Sequence, residues 1–93
     1  MRRVIGGKSY DTETATLVAS NRYWDGSNYD RSGRNTYLYK TKKGNYFLHH
    51  TTMWTGEFDR IEPLSEGEAM EWWEKLPEQE VEYEEVFGTP EEA

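Results

Sequence analysis

Residues 35–52 read NTYLYKTKKGNYFLHHTT, and this stretch decides the fold. Residues 35–41 (NTYLYKT) and 46–52 (YFLHHTT) are dense in aromatic and β-branched side chains, which suit the pleated surface of a strand. Between them lies Lys42-Lys43-Gly44-Asn45, a polar run in which Gly44 can adopt the left-handed conformation of a tight reversal. The stretch therefore predicts a β-hairpin. Side chains alternate along a strand, so Tyr37, Tyr39 and Thr41 share one face and Leu38 and Lys40 the other. On the second strand Tyr46, Leu48 and His50 oppose Phe47, His49 and Thr51. Both faces are partly apolar, which predicts a sheet covered on each side.

Downstream, residues 58–64 (FDRIEPL) supply a third strand after a turn at Thr55-Gly56, with Pro63 near its end where no ladder donor is needed. Ser65 and Glu68 form a capping box, each side chain closing an orphan N–H of the other's residue. Ala69, Trp72, Trp73 and Leu76 then recur at i, i+3, i+4 and i+7, with Met70 adjoining, and Pro77 marks the stop. That stripe predicts a helical core face. Glu68, Glu71, Glu74 and Lys75 stand on the other side, where Glu71 and Lys75 have the spacing of a favourable i, i+4 pair. In residues 78–88 (EQEVEYEEVFG), Tyr83, Val86 and Phe87 are helically spaced and predict a short helix, although Val81-Glu82-Tyr83 suits an edge strand equally. Residues 89–93 are expected to fray as an acidic tail on a single domain covering residues 1–88.

Upstream, residues 2–5 form a short β-prone run closed by Gly6-Gly7, and Lys8-Ser9-Tyr10 can return across that turn. Asp11 is expected to cap a short first helix, with Glu13 in its first turn and Ala15, Val18 and Ala19 on one face beside Leu17. Residues 21–34 (NRYWDGSNYDRSGR) have loop composition. The cost of leaving Tyr23, Trp24 and Tyr29 bare favours packing them on the core, and display for partner contact is the alternative. The expected fold class is α+β, an antiparallel sheet of about three or more strands with a capped Trp-rich helix and a short N-terminal helix packed on it.

The composition bounds the chemistry. Hydrophobic residues make up 34% of the 93, lean for a globular domain, yet four Trp, seven Tyr and three Phe are among them, so the core must be small and built on rings. The chain has no cysteine, which excludes a disulfide scaffold, a cysteine zinc site, an iron–sulfur cluster and a thiol nucleophile. No apolar run approaches the length of a membrane span and no apolar segment follows Met1-Arg2-Arg3, so a cytoplasmic location is expected. Adjacent strand residues point to opposite faces, so His49 and His50 are not expected to ligate one ion. Residues 25–30 (DGSNYD) lack the ligand order and sixth-position glycine of a calcium loop, and no nucleophile elbow, phosphate loop or zinc-protease motif occurs. Neither an enzyme nor a cofactor is expected.

Charge is divided unevenly. Residues 1–50 carry nine Lys/Arg against four Asp/Glu, whereas residues 51–93 carry two against fourteen, and the whole chain is at −7. Such polarity suggests a charged partner for one end of the chain. Overall acidity argues against direct nucleic-acid binding, which depends on cations neutralising phosphates. Glu71, Glu74 and Glu78, followed by Glu80, Glu82, Glu84 and Glu85, make an acidic strip that can stand in for a phosphate backbone and occupy a basic groove on another protein. These glutamates, with Tyr23, Trp24 and Tyr29, are the candidate partner-binding residues. The alternative partner is nucleic acid itself, met by Arg22, Arg31, Arg34, Lys42 and Lys43 of the basic half in a small accessory protein. The net charge also predicts a monomer.

Three blocks carry a resemblance. They are Ile5-Gly6-Gly7-Lys8-Ser9-Tyr10-Asp11-Thr12-Glu13-Thr14-Ala15, Tyr39-Lys40-Thr41-Lys42-Lys43-Gly44-Asn45-Tyr46-Phe47-Leu48, and Ile61-Glu62-Pro63-Leu64-Ser65 running on to Glu68-Ala69 and Trp72. In them the chain resembles a family of small proteins carried by prophages and integrative elements of Firmicutes, and it departs from that family around residues 21–34 and 51–58. In size and charge it is similar to anti-CRISPR inhibitors and other counter-defence proteins of such elements. The resemblance implies a non-enzymatic inhibitor of a host defence complex such as a CRISPR-Cas effector, and brings no catalytic residues with it.

Overall fold

A computed structural model of the chain describes residues 1–21, 34–52, 55–90 and 92. The protein is α+β, with a five-stranded antiparallel sheet, a separate two-stranded ribbon and short helices. The central hairpin pairs β4 (Arg34–Lys40) with β5 (Tyr46–Thr52) from Arg34↔Thr52 to Lys40↔Tyr46. Gly44 takes φ 89, and the Gly44 N–H donates to the Thr41 carbonyl at 2.9 Å to close the turn. β6 (Arg60–Leu64) pairs with β5 on one side. Pro63 is exposed in this edge strand, where its missing N–H costs no ladder bond.

The other side of the hairpin corrects the expectation of an N-terminal helix. Residues 16–20 form strand β3 (Thr16–Ser20), antiparallel to β4. Asp11 does act as a local cap, its Oδ1 accepting the Glu13 N–H at 2.9 Å, and the Ala15 N–H reaches the Asp11 carbonyl at 3.1 Å. One turn forms and stops. Thr12, Thr14, Thr16 and Val18 are β-branched, which weakens a short helix already burdened by nucleation, while β4 offers a ready ladder. A register shift between Leu17 and Ala19 lets both Val18 and Ala19 bury fully in one core. Strand β7 (Glu78–Gln79) completes the order β6-β5-β4-β3-β7 by pairing with Ala19 and Ser20.

Each face of the sheet has its own core. On one, Val18, Ala19, Leu38, Tyr46 and Leu48 pack with Ala69 of helix α1 (Glu66–Lys75), with Leu76 at its C-cap and with Val86 of helix α2 (Tyr83–Phe87), and Trp72 and Trp73 are half-buried against them. Ser65 starts α1: its Oγ accepts the Glu68 N–H at 3.1 Å, and Glu68 Oε1 accepts the Ser65 N–H at 2.9 Å. On the opposite face, Phe47, Ile61 and Tyr39 pack with Tyr10, Ile5 and Ala15. Those N-terminal residues come from the ribbon of β1 (Arg2–Ile5) and β2 (Lys8–Asp11) and from the turn after it. The Phe47 ring stacks on Tyr39 at 5.1 Å and receives Tyr10 edge-on at 5.5 Å. Among the described residues no helix is long and apolar enough to cross a membrane.

Candidate functional site

Residues 66–85 carry nine glutamates and one lysine. Helix α1 is amphipathic: Ala69, with Leu76 at the C-cap, is sunk in the core, and Glu66, Glu68, Glu71 and Glu74 are left exposed. Glu71 and Glu74 are neighbours one turn apart. The expected pairing of Glu71 with Lys75 is not formed; Lys75 Nζ lies 5.0 Å from the centre of the Trp72 ring instead. A cation over a half-buried indole exchanges little hydration for a favourable quadrupole, and an exposed i, i+4 ion pair offers only a few tenths of a kcal/mol against it.

Leu76 and Pro77 end the helix, and the chain turns back along the sheet edge. Gln79 Nε2 donates to the carbonyls of Trp73 (3.0 Å) and Leu76 (2.5 Å), closing the helix C-terminus. The Glu80 and Val81 N–H groups both donate to the Val18 carbonyl, at 2.8 and 3.2 Å. The Trp73 indole N–H then reaches the Val81 carbonyl at 3.0 Å, and Tyr83 meets the Trp73 ring edge-on at 5.3 Å. These bonds fold the acidic connection around one aromatic side chain. The result is a cavity of about 350 Å³ lined by Trp73, Gln79, Glu80, Val81, Glu82 and Glu85.

Three of the expected site residues, Glu80, Glu82 and Glu85, thus converge, with Glu84 exposed beside them in the first turn of α2. Glu71 and Glu74 remain on the flank of α1 and do not line the cavity. Glu78 departs from its expected place on the helix side: it sits half-buried in β7, paired with Ser20, because the helix ends before it. Tyr23, Trp24 and Tyr29 lie outside the described residues. The residue that sequence reasoning missed as part of this site is Trp73, which it assigned wholly to the core. Its only signal was Pro77, which forces the chain to reverse close to it.

Among the described residues, no cation forms an ion pair with the acidic face. Among the described residues, Arg60 pairs with Glu62, and His50 and His49 approach Glu62 and Asp59 at 3.0 and 4.0 Å; none of the nine glutamates of residues 66–85 enters any of these contacts. Lys40 of β4 donates to the Val86 carbonyl at 2.8 Å and lies 5.6 Å from the Tyr46 ring centre. Burial pushes the Tyr46 phenol above its ordinary value, and the Glu66 carboxylate adds to the effect.

No family model, curated protein or solved structure matches this chain. The chemistry of its own residues therefore has to carry the function. The His49 and His50 rings face separate carboxylates: His50 Nε2 meets Glu62 at 3.0 Å, whereas the buried His49 Nε2 lies 4.0 Å from Asp59 and has no hydrogen-bond partner among the described residues. Among the described residues no group of three metal-binding side chains is assembled. A larger cavity of about 700 Å³ near the β5–β6 connection mixes Arg3, Arg60 and His50 with Glu57 and Asp59, beside the 86% exposed Phe58. Its charges offset one another, whereas those around Trp73 have one sign.

Proposed function

We propose that this protein is a non-enzymatic inhibitor that docks its acidic C-terminal face on a basic nucleic-acid-binding surface of another protein. The observation that carries this reading is the run of nine glutamates in residues 66–85, none of which is ion-paired among the described residues. Leaving so many like charges together costs folding free energy through self-repulsion, a cost that contact with a cationic partner relieves. Carboxylates held on the capped, Trp-bearing helix and the short segment after it can replace phosphates in a groove lined by Lys and Arg. Glu71, Glu74, Glu82, Glu84 and Glu85 would steer association, and Trp73 would supply the aromatic anchor common at interface centres. The resemblance to counter-defence proteins makes a CRISPR-Cas effector in the host cytoplasm the partner of choice.

The test is displacement of target DNA from a purified CRISPR-Cas effector ribonucleoprotein, followed by electrophoretic shift at low and high salt. The wild-type protein is expected to release DNA at low salt and to weaken as salt screens the contact. The combined variant Glu71→Lys, Glu74→Lys, Glu82→Lys and Glu85→Lys, confirmed folded by its melting curve, is expected to lose this effect. Equal displacement by wild type and variant would remove the acidic face from the mechanism.

A further inference from the structure

The second cleft of interest lies between two turns that are far apart in sequence, Gly6-Gly7 of the N-terminal ribbon and Lys42-Lys43-Gly44 of the central hairpin. It measures about 450 Å³, and its walls include Lys8, Lys42 and Lys43 with Ser9, Thr14 and Asn45. We propose that this cleft binds a small phosphate-bearing anion, no larger than about one nucleotide. The three lysines are exposed, and none is ion-paired among the described residues. Asp11, the carboxylate in the wall, already accepts the Glu13 N–H through its Oδ1. Three ammonium groups against one carboxylate leave an excess of two positive charges, which matches a phosphate monoester of about −1.5 to −2 at neutral pH better than a single carboxylate.

Lysine suits this role as a point charge on a flexible stem that can follow a phosphoryl group. The hairpin turn adds neutral donors. Its closing bonds use the N–H groups of Thr41, Gly44 and Asn45, and leave those of Lys42 and Lys43 without an acceptor among the described residues. Successive free amides in a turn form the kind of concavity that takes anions. A long polyanion is disfavoured: the chain carries −7 overall, and a nucleic-acid strand would extend beyond this cleft into that field. The proposal is independent of the acidic-face reading, since it uses different residues and a ligand of opposite charge.

The experiment is an NMR titration of the intact protein with inorganic phosphate, with adenosine monophosphate and with a short single-stranded oligodeoxynucleotide lacking a terminal phosphate. Phosphate and adenosine monophosphate are expected to move the amide resonances of Lys8, Lys42, Lys43 and Gly44 along one saturable curve. Tighter binding of the nucleotide would assign the source as a nucleotide, and equal binding as the free anion. The triple variant Lys8→Gln, Lys42→Gln and Lys43→Gln, with melting unchanged, should weaken the interaction by at least about tenfold, as expected for loss of several charge-assisted contacts. Three results would overturn the proposal: no saturable shift at these amides, equal affinity in the triple variant, or an oligonucleotide that binds here more tightly than adenosine monophosphate.

Discussion

Phe47→Ala tests whether the N-terminal ribbon truly closes the second face of the sheet. The Phe47 ring is 0% exposed, stacked on Tyr39 with an interplanar angle of 10° and met edge-on by Tyr10 at 69°. Truncating a buried phenylalanine costs about 3–5 kcal/mol, and each aromatic pair lost accounts for roughly 0.5–1.5 kcal/mol of that beyond area. A domain of this length is stable by roughly 5–14 kcal/mol, so the substitution removes a large share of the whole. At about 4–8 °C per kcal/mol, the melting midpoint should fall by about 12–40 °C. Circular dichroism thermal scans at neutral pH, with urea unfolding as a second measure, provide the assay. Tyr10→Ala combined with Phe47→Ala in a double-mutant cycle should show a coupling of roughly 0.5–3 kcal/mol, because the rings share one contact. A fall of less than about 5 °C, or additive effects of the two substitutions, would mean that the ribbon is not packed on Phe47 and that the two-core description is wrong.

Ser65→Ala removes one half of the capping box and should destabilise the protein by about 1 kcal/mol in urea unfolding, with most of the loss recovered by Ser65→Asp. Trp73→Phe keeps an aromatic wall but leaves the Val81 carbonyl without its indole donor, so a loss of about 1 kcal/mol is expected by the same measurement. Burial lowers the His49 pKa, with nearby Asp59 opposing the shift; the unfolded chain therefore takes up the proton first, and His49 should cost stability as the pH falls from about 6.5 through its folded value. Comparing wild type with His49→Asn across that window by urea unfolding should show a steeper loss of stability with falling pH in the wild type than in the variant. Size exclusion with light scattering is expected to return a single 11.0 kDa species at physiological salt, and a doubled mass that survives high salt would show an apolar interface instead.

The sequence by itself determined the elements whose causes are local. Gly44 closes the β4–β5 turn because few other residues take φ 89 without strain, and alternation then sorted Tyr39 and Phe47 from Leu38 and Leu48 onto opposite faces. Ser65 and Glu68 placed the start of α1 because both halves of the capping box lie within one turn of chain. The excess of glutamate in residues 66–85 was likewise visible as composition. Tertiary structure decided the rest. Asp11 and Ala15–Ala19 looked helical in isolation, but the open edge of β4 recruited Thr16–Ser20 as a strand, since a ladder and a buried face outweigh the propensity of one short turn. Lys75 turned from Glu71 to Trp72 because a half-buried ring lay within reach. The grouping of Glu80, Glu82 and Glu85 around Trp73 depends on the Val18 carbonyl capturing the chain after Pro77. That bond joins residues more than sixty positions apart, a pairing that exists only once β3 has taken its place in the sheet.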